Sequence, residues 1–182
     1  MEKRPFAFTP HALRIAARAF ACICVCLCLA GPSHPQTPNS KRPAKEPVMT
    51  RHAEGTFDVK ITPLPADDAT SPAINHYAGV KQFHGDLEAA SKVEMLGAGD
   101  PTKGNAGYVA IEQVTGTLDG RAGTFVLQHS GTMENGSYKL SVSVVPGTGT
   151  GALAGIAGTM TITIAAGKHS YTFDYTLPAA AQ

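Results

Sequence analysis

The dipeptide Asn135-Gly136 constrains this chain more than any other feature. It sits between two runs rich in alternating apolar and polar residues, at 124–133 and 138–145. A type I′ hairpin turn needs positive φ at both central positions, which Asn and Gly tolerate best, and its two-residue loop fixes strand register. Met133 then meets Tyr138, Gly131 meets Leu140, His129 meets Val142, and Leu127 meets Val144. All of these share one face. The other face carries Thr132 with Lys139, Ser130 with Ser141, and Gln128 with Ser143. Successive strand residues point to opposite sides, so the first face is buried and the second is wet.

Two further dipeptides extend the register. With a turn at Ala166-Gly167, Ile164 meets His169, Ile162 meets Tyr171 and Met160 meets Phe173, while Thr159, Thr161, Thr163, Ser170, Thr172 and Asp174 face outward. With a turn at Asp119-Gly120, Val114 meets Phe125, Glu112 meets Leu127, and Ala110 meets His129. Leu127 and His129 are already inside by the neighbouring hairpin, so Tyr108, Ala110, Glu112 and Val114 follow them. A four-residue loop keeps this parity and a three-residue loop breaks it. In the register adopted, Val109 and Ile111 face outward.

The same reasoning places strands at 55–62, 74–83, 90–96, 108–118, 124–133, 138–145, 159–165 and 169–177. Gly is abundant, Trp is absent, and Val, Thr and Tyr recur in short runs, the composition of many strands joined by tight turns. The run from Gly116 through Leu118, Gly120 and Gly123 to Phe125 recurs from Gly151 through Leu153, Gly155 and Gly158 to Met160, with a weaker copy at Gly85-Asp-Leu87. Each copy reads as a tight strand-to-strand turn, and such repetition points to barrel hairpins. The stretch from Pro146-Gly147 to Gly151 cannot continue a ladder and reads as a bulge or rim loop that resets register. The expected fold is all-β: a single antiparallel eight-stranded barrel over residues 49–178. About 130 residues bury roughly two-thirds of their unfolded surface, enough for independent stability.

Residues 1–48 differ in kind and form an unstructured or helical N-terminal extension. Lys3, Arg4, Arg14 and Arg18 precede an apolar run at 19–30, then Pro-, Ser- and Lys-rich sequence follows. One reading is a secretory signal peptide cleaved after Ala30 with a disordered tether behind it. That places the domain in the periplasm or outside the cell. The other is an over-extended reading frame with Met49 as the true start, and a cytoplasmic protein. The run is roughly 12 residues, too short for a stable membrane span. Cys22, Cys24, Cys26 and Cys28 all lie in it. Their alternate spacing permits a thiolate metal site, but small apolar residues of a targeting segment are the better reading, and no metal site is assigned to them. The barrel has no cysteine, hence no disulfide and no thiol chemistry.

Formal net charge is +1, and Lys and Arg are not clustered on the domain, which argues against nucleic acid as a partner. His76, His84, His129 and His169 show no metal-ligand spacing. No Gly-rich phosphate loop leads from a strand into a helix, and no nucleophile elbow occurs. Glu88, Lys92 and Glu94 read as a solvated strand face.

Several segments carry a resemblance. They are His52-Ala-Glu-Gly-Thr-Phe-Asp-Val, Lys81-Gln-Phe-His-Gly-Asp-Leu-Glu, Gly107-Tyr-Val-Ala-Ile-Glu-Gln-Val-Thr-Gly-Thr-Leu, Phe125-Val-Leu-Gln-His-Ser-Gly-Thr-Met and Gly149-Thr-Gly-Ala-Leu-Ala-Gly-Ile-Ala-Gly. Together, in this order, they resemble the bacterial domain-of-unknown-function family 3224. That family resembles the allene oxide cyclase barrel, and the turn at 149–158 is similar to one in plant dirigent proteins. The resemblance implies an eight-stranded barrel and no established reaction. Allene oxide cyclases and dirigent proteins guide cyclisation or coupling without a cofactor. No residue here matches the cyclase catalytic positions, so none is carried over.

The inner face therefore holds few polar groups: Glu112, His129, and the hydroxyls of Tyr108, Tyr138, Tyr171 and Tyr175. Glu112 and His129 are diagonal neighbours on adjacent strands, within side-chain reach. They form a candidate catalytic acid/base pair, or alternatively a satisfied buried contact. The four tyrosines are candidate substrate-binding residues, or simply core aromatics. His169 belongs at the rim. Two function classes follow: a barrel that binds an apolar small molecule, and a cofactor-free isomerase or cyclase. An oligomer-forming structural barrel, a homo-oligomer of this chain, is a third.

Overall fold

The computed structural model describes residues 49–65 and 73–178. The leader or over-extended start expected at 1–48, with its four cysteines, lies outside the described residues. Eight strands follow in order: β1 (Arg51–Pro63), β2 (Asn75–Gly85), β3 (Leu87–Asp100), β4 (Asn105–Leu118), β5 (Arg121–Glu134), β6 (Ser137–Val144), β7 (Ala157–Ala165) and β8 (Lys168–Thr176). Each pairs antiparallel with its neighbour, and β1 pairs with β8 to close an eight-stranded barrel. Every strand thus has two neighbours, although β6 and β7 are joined by a single residue pair. Among the described residues no helix is long and apolar enough to cross a membrane.

The turn dipeptides behave as their chemistry requires. Asp119-Gly120, Asn135-Gly136 and Ala166-Gly167 all have positive φ at both positions. Glu112 faces Leu127 and Ala110 faces His129 across β4–β5; His129 faces Val142 across β5–β6; Ile162 faces Tyr171 across β7–β8. The two-residue loop at Asp119-Gly120 preserves parity, so Val109 and Ile111 point outward and are half exposed.

The internal repeat does not keep one structure. The copy at Gly116 makes the β4–β5 hairpin, but the copy at Gly151 forms a short 3₁₀ turn, Gly151–Leu153, within the β6–β7 connection. Its apolar residues explain the difference, because Leu153 and Ile156 fold inward and are buried. This connection also replaces the ladder that β6 abandons. Val145 N–H donates to Val126 O and Thr150 N–H to Thr124 O, while the Thr148 and Thr150 hydroxyls accept from Val126 and Thr124 N–H. The rim loop expected from Pro146 to Gly151 thus satisfies the β5 edge, and β6 meets β7 through Ser143 opposite Thr159.

The two ends of the barrel differ. At the end carrying the β2–β3 and β4–β5 turns, the interior is packed with Phe83, Leu87, Leu118, Phe125, Phe173 and Tyr175. Phe173 stacks on Phe125 and on Tyr175, and Tyr171 meets Phe83 edge-on. Each such side chain, fully buried, contributes about 1.5–3 kcal/mol. At the opposite end, carrying the β3–β4, β5–β6 and β7–β8 turns, the inner-facing residues leave a cavity between them. Ile61, Tyr138 and Ile164 remain 43%, 47% and 62% exposed although they point inward.

Candidate functional site

The site begins with a carboxylate that no water reaches. Glu112 on β4 is fully buried in the middle of the barrel. An ionised carboxylate there is costly unless its oxygens are matched. Three strands supply the match. Ser91 on β3 donates to Oε1 at 2.5 Å. Lys81 on β2 donates to Oε2 at 2.7 Å. His129 on β5 places Nε2 2.8 Å from the same Oε2. Ladder pairing explains the convergence. Lys81 is directly opposite Ser91, while Ser91 and His129 are diagonal to Glu112 on its two flanks.

The His129 contact is an ion-pair distance without hydrogen-bond alignment. Nε2 is enclosed, yet its N–H does not point at a protein acceptor. Burial alone would push the Glu112 carboxyl up. The His129 contact, the Lys81 charge and the Lys81 and Ser91 bonds outweigh it, so the group is held below the ordinary glutamate range. Lys81 is itself only 8% exposed at its side chain, and its ammonium lies 4.9 Å from the centre of the Phe57 ring. That placement adds a cation–π contact to the ion pair.

Above this polar floor is a cavity of about 350 Å³. Its walls include Val59, Val93, Met95, Ala110, Leu140 and Ile162, and its polar lining is Lys81, His129, His169, Tyr108 and Tyr138. The sequence reading thus brings Glu112, His129, Tyr108 and Tyr138 to one place, with Glu112 behind the lining. Tyr138 donates to the Tyr108 hydroxyl at 3.0 Å, bridging β4 and β6 across β5. Gly131 makes this bridge feasible: it lies opposite Tyr108, and a Cβ there would fall 2.3 Å from the Tyr108 ring. Burial and the Tyr138 partner both raise the Tyr108 phenol above its ordinary value. A second chamber of about 340 Å³, lined by Tyr77, Gly97, Gly107 and Met133, shares Met95, Tyr108 and Tyr138 with the first.

Tyr171 and Tyr175 stand elsewhere, in the packed end. The Tyr171 hydroxyl accepts from Leu87 N–H, and the Tyr175 hydroxyl donates to Asp119. Burial first, then Asp119, pushes the Tyr175 phenol up to about 12. His169 is at the rim, with its ring 5.0 Å from Phe57. A wider concavity of about 530 Å³ lies outside β1–β4, but its side chains are solvated groups such as Asp58, Lys60, Gln82 and Lys92. Among the described residues no group of three or more His, Cys, Asp or Glu side chains could hold a metal ion.

Sequence reasoning missed Lys81 and Ser91. The signal was present: Lys81 is in phase with Gly79 and Phe83, and Ser91 with Leu87, Ala89 and Val93. No two-residue turn ties these strands to the three hairpins that set the inner face, so their parity went unread.

A family model described as "Protein of unknown function (DUF3224)" matches residues 53–175. A crystal structure of a protein of unknown function from that family, from Shewanella oneidensis MR-1, is 47% identical. The match covers 72% of this chain and 100% of the other, with a TM-score of 0.66. None of the curated proteins matches.

Proposed function

The chain belongs to the DUF3224 family of proteins of unknown function, and we propose that its barrel binds an apolar small molecule inside the open end. One observation carries this reading: the cavity of about 350 Å³ has apolar walls and a polar floor built from Lys81 and His129. Ligand pockets commonly span about 300–1,000 Å³ and combine mostly apolar walls with a few placed polar groups. A filled structural barrel would not leave Ile61 and Ile164 facing inward and wet. Native mass spectrometry of freshly purified protein should reveal a co-purifying molecule, or the protein should take up an apolar fluorophore with one-to-one stoichiometry. Leu140→Trp, which fills the cavity, should abolish that uptake. If no molecule co-purifies and uptake is absent or indifferent to Leu140→Trp, the reading fails.

A second reading is a cofactor-free isomerase or cyclase, in line with the resemblance to allene oxide cyclase barrels. The 2.8 Å approach of His129 Nε2 to a buried carboxylate favours it. In this reading the cavity folds the substrate and His129 moves a proton, with Glu112 orienting the ring. Conversion of the captured molecule, lost in His129→Gln, would separate this from binding alone.

A further inference from the structure

We infer that His129 offers Nδ1 to the cavity as a hydrogen-bond acceptor and base, and that the ligand is an apolar body carrying one weakly acidic hydroxyl, such as a phenol or enol. The inference rests on the cavity being a ligand site and names the chemistry at its floor.

A neutral imidazole carries one N–H and one lone pair. The Glu112 carboxylate 2.8 Å from Nε2 favours the positive end of an N–H dipole over a lone pair on that nitrogen, so the proton belongs on Nε2. Nδ1 is then the lone-pair nitrogen. Of the two, only Nε2 is enclosed without a partner; among the described residues Nδ1 has no hydrogen-bond partner and is not enclosed, and the ring lines the cavity. The acceptor therefore faces the ligand space.

The charges decide what it accepts. Lys81 already balances Glu112, at 2.7 Å, so the floor has no net charge to offer. An ammonium ligand would meet the Lys81 charge. A carboxylate ligand would bring an anion to a lone pair. A neutral O–H donor satisfies Nδ1 and leaves no charge uncompensated. The remaining polar groups facing His129 across the cavity are Tyr108, Tyr138 and His169.

The same geometry supports proton transfer. The ligand O–H bond breaks, its electron pair stays on oxygen, and Nδ1–H forms. The imidazolium then lies between the Glu112 carboxylate and the new oxyanion, with Lys81 nearby. No other reactant is needed.

The probes are 4-nitrophenol, its methyl ether 4-nitroanisole, and 4-nitrobenzoate, added to the full chain slightly below the solution titration of the phenol. The phenolate absorbance should rise on binding. The phenol should bind about tenfold tighter than the ether, the scale of one hydrogen bond to a charged or polarised partner, and the benzoate no tighter than the ether. In His129→Gln both the phenolate band and the advantage over the ether should disappear, and Glu112→Gln should lose the band. Equal binding of phenol and ether, preference for the benzoate, or a phenolate band that survives His129→Gln would overturn the inference while leaving a ligand-binding barrel. Binding of none of the three would overturn the ligand site itself.

Discussion

The Lys81 ammonium and the Glu112 carboxylate stand 2.7 Å apart in the middle of the barrel, with side chains 8% and 0% exposed. Neither group could sit there alone. Removing one partner of a buried ion pair costs about 3–5 kcal/mol, whereas replacing both with apolar residues is often neutral. Lys81→Met should therefore lower stability by about that amount, and Lys81→Met combined with Glu112→Leu should recover most of the loss. Denaturant midpoints for the two single variants and the double variant test this. Additive losses would mean that the two charges are not coupled.

The pH dependence follows from the same carboxylate. Folding holds the Glu112 carboxyl below its ordinary value, so as pH falls the unfolded chain takes up this proton first. The stabilisation is fully present above the unfolded glutamate value, about 4.3, and is lost as pH falls through the lower folded value. Wild-type protein should lose stability over this acid window more steeply than Glu112→Gln. Chemical denaturation from pH 6 to the acid limit reads the difference. Parallel curves would sink the assignment of an ionised, buried Glu112.

Gly131 should not tolerate a side chain. A Cβ there would lie 2.3–3.0 Å from three atoms of the Tyr108 ring. Gly131→Ala should cost about 1–3 kcal/mol, the usual scale of overpacking. It should also displace Tyr108 from its 3.0 Å bond with Tyr138, a change visible in near-ultraviolet circular dichroism. An unchanged midpoint together with an unchanged tyrosine spectrum would show that the ring is not fixed over this glycine.

Two hairpin turns make opposite predictions. Gly136 has φ +79 in the β5–β6 turn, and Gly136→Val should destabilise by about 1–3 kcal/mol through backbone strain. Ala166 has φ +49 in the β7–β8 turn, where a methyl-bearing residue is strained and Asn is better tolerated. Ala166→Asn should raise stability by about 0.5–1 kcal/mol. Thermal melts of both variants check the signs, and a destabilised Ala166→Asn would refute the strain argument.

By itself the sequence determined the inner face over β4–β8. Asp119-Gly120, Asn135-Gly136 and Ala166-Gly167 are local devices: each turn sets the register of the two strands it joins, and period-two alternation does the rest. That was sufficient to put Glu112 beside His129 and to turn Val109 and Ile111 outward. Only the tertiary structure decided the rest. Lys81 and Ser91 reach Glu112 through β2–β3 and β3–β4 pairing, which no two-residue signal announces. The closure of β1 on β8 joins residues as far apart in the chain as His52 and Asp174. Which tyrosines face a cavity was likewise undecided, because Tyr108 and Tyr171 have the same inward parity. Leu153, Ile156 and the stacked aromatic rings fill one end of the barrel and leave the other open. Parity is a property of neighbouring residues, whereas filled volume belongs to side chains from all eight strands at once.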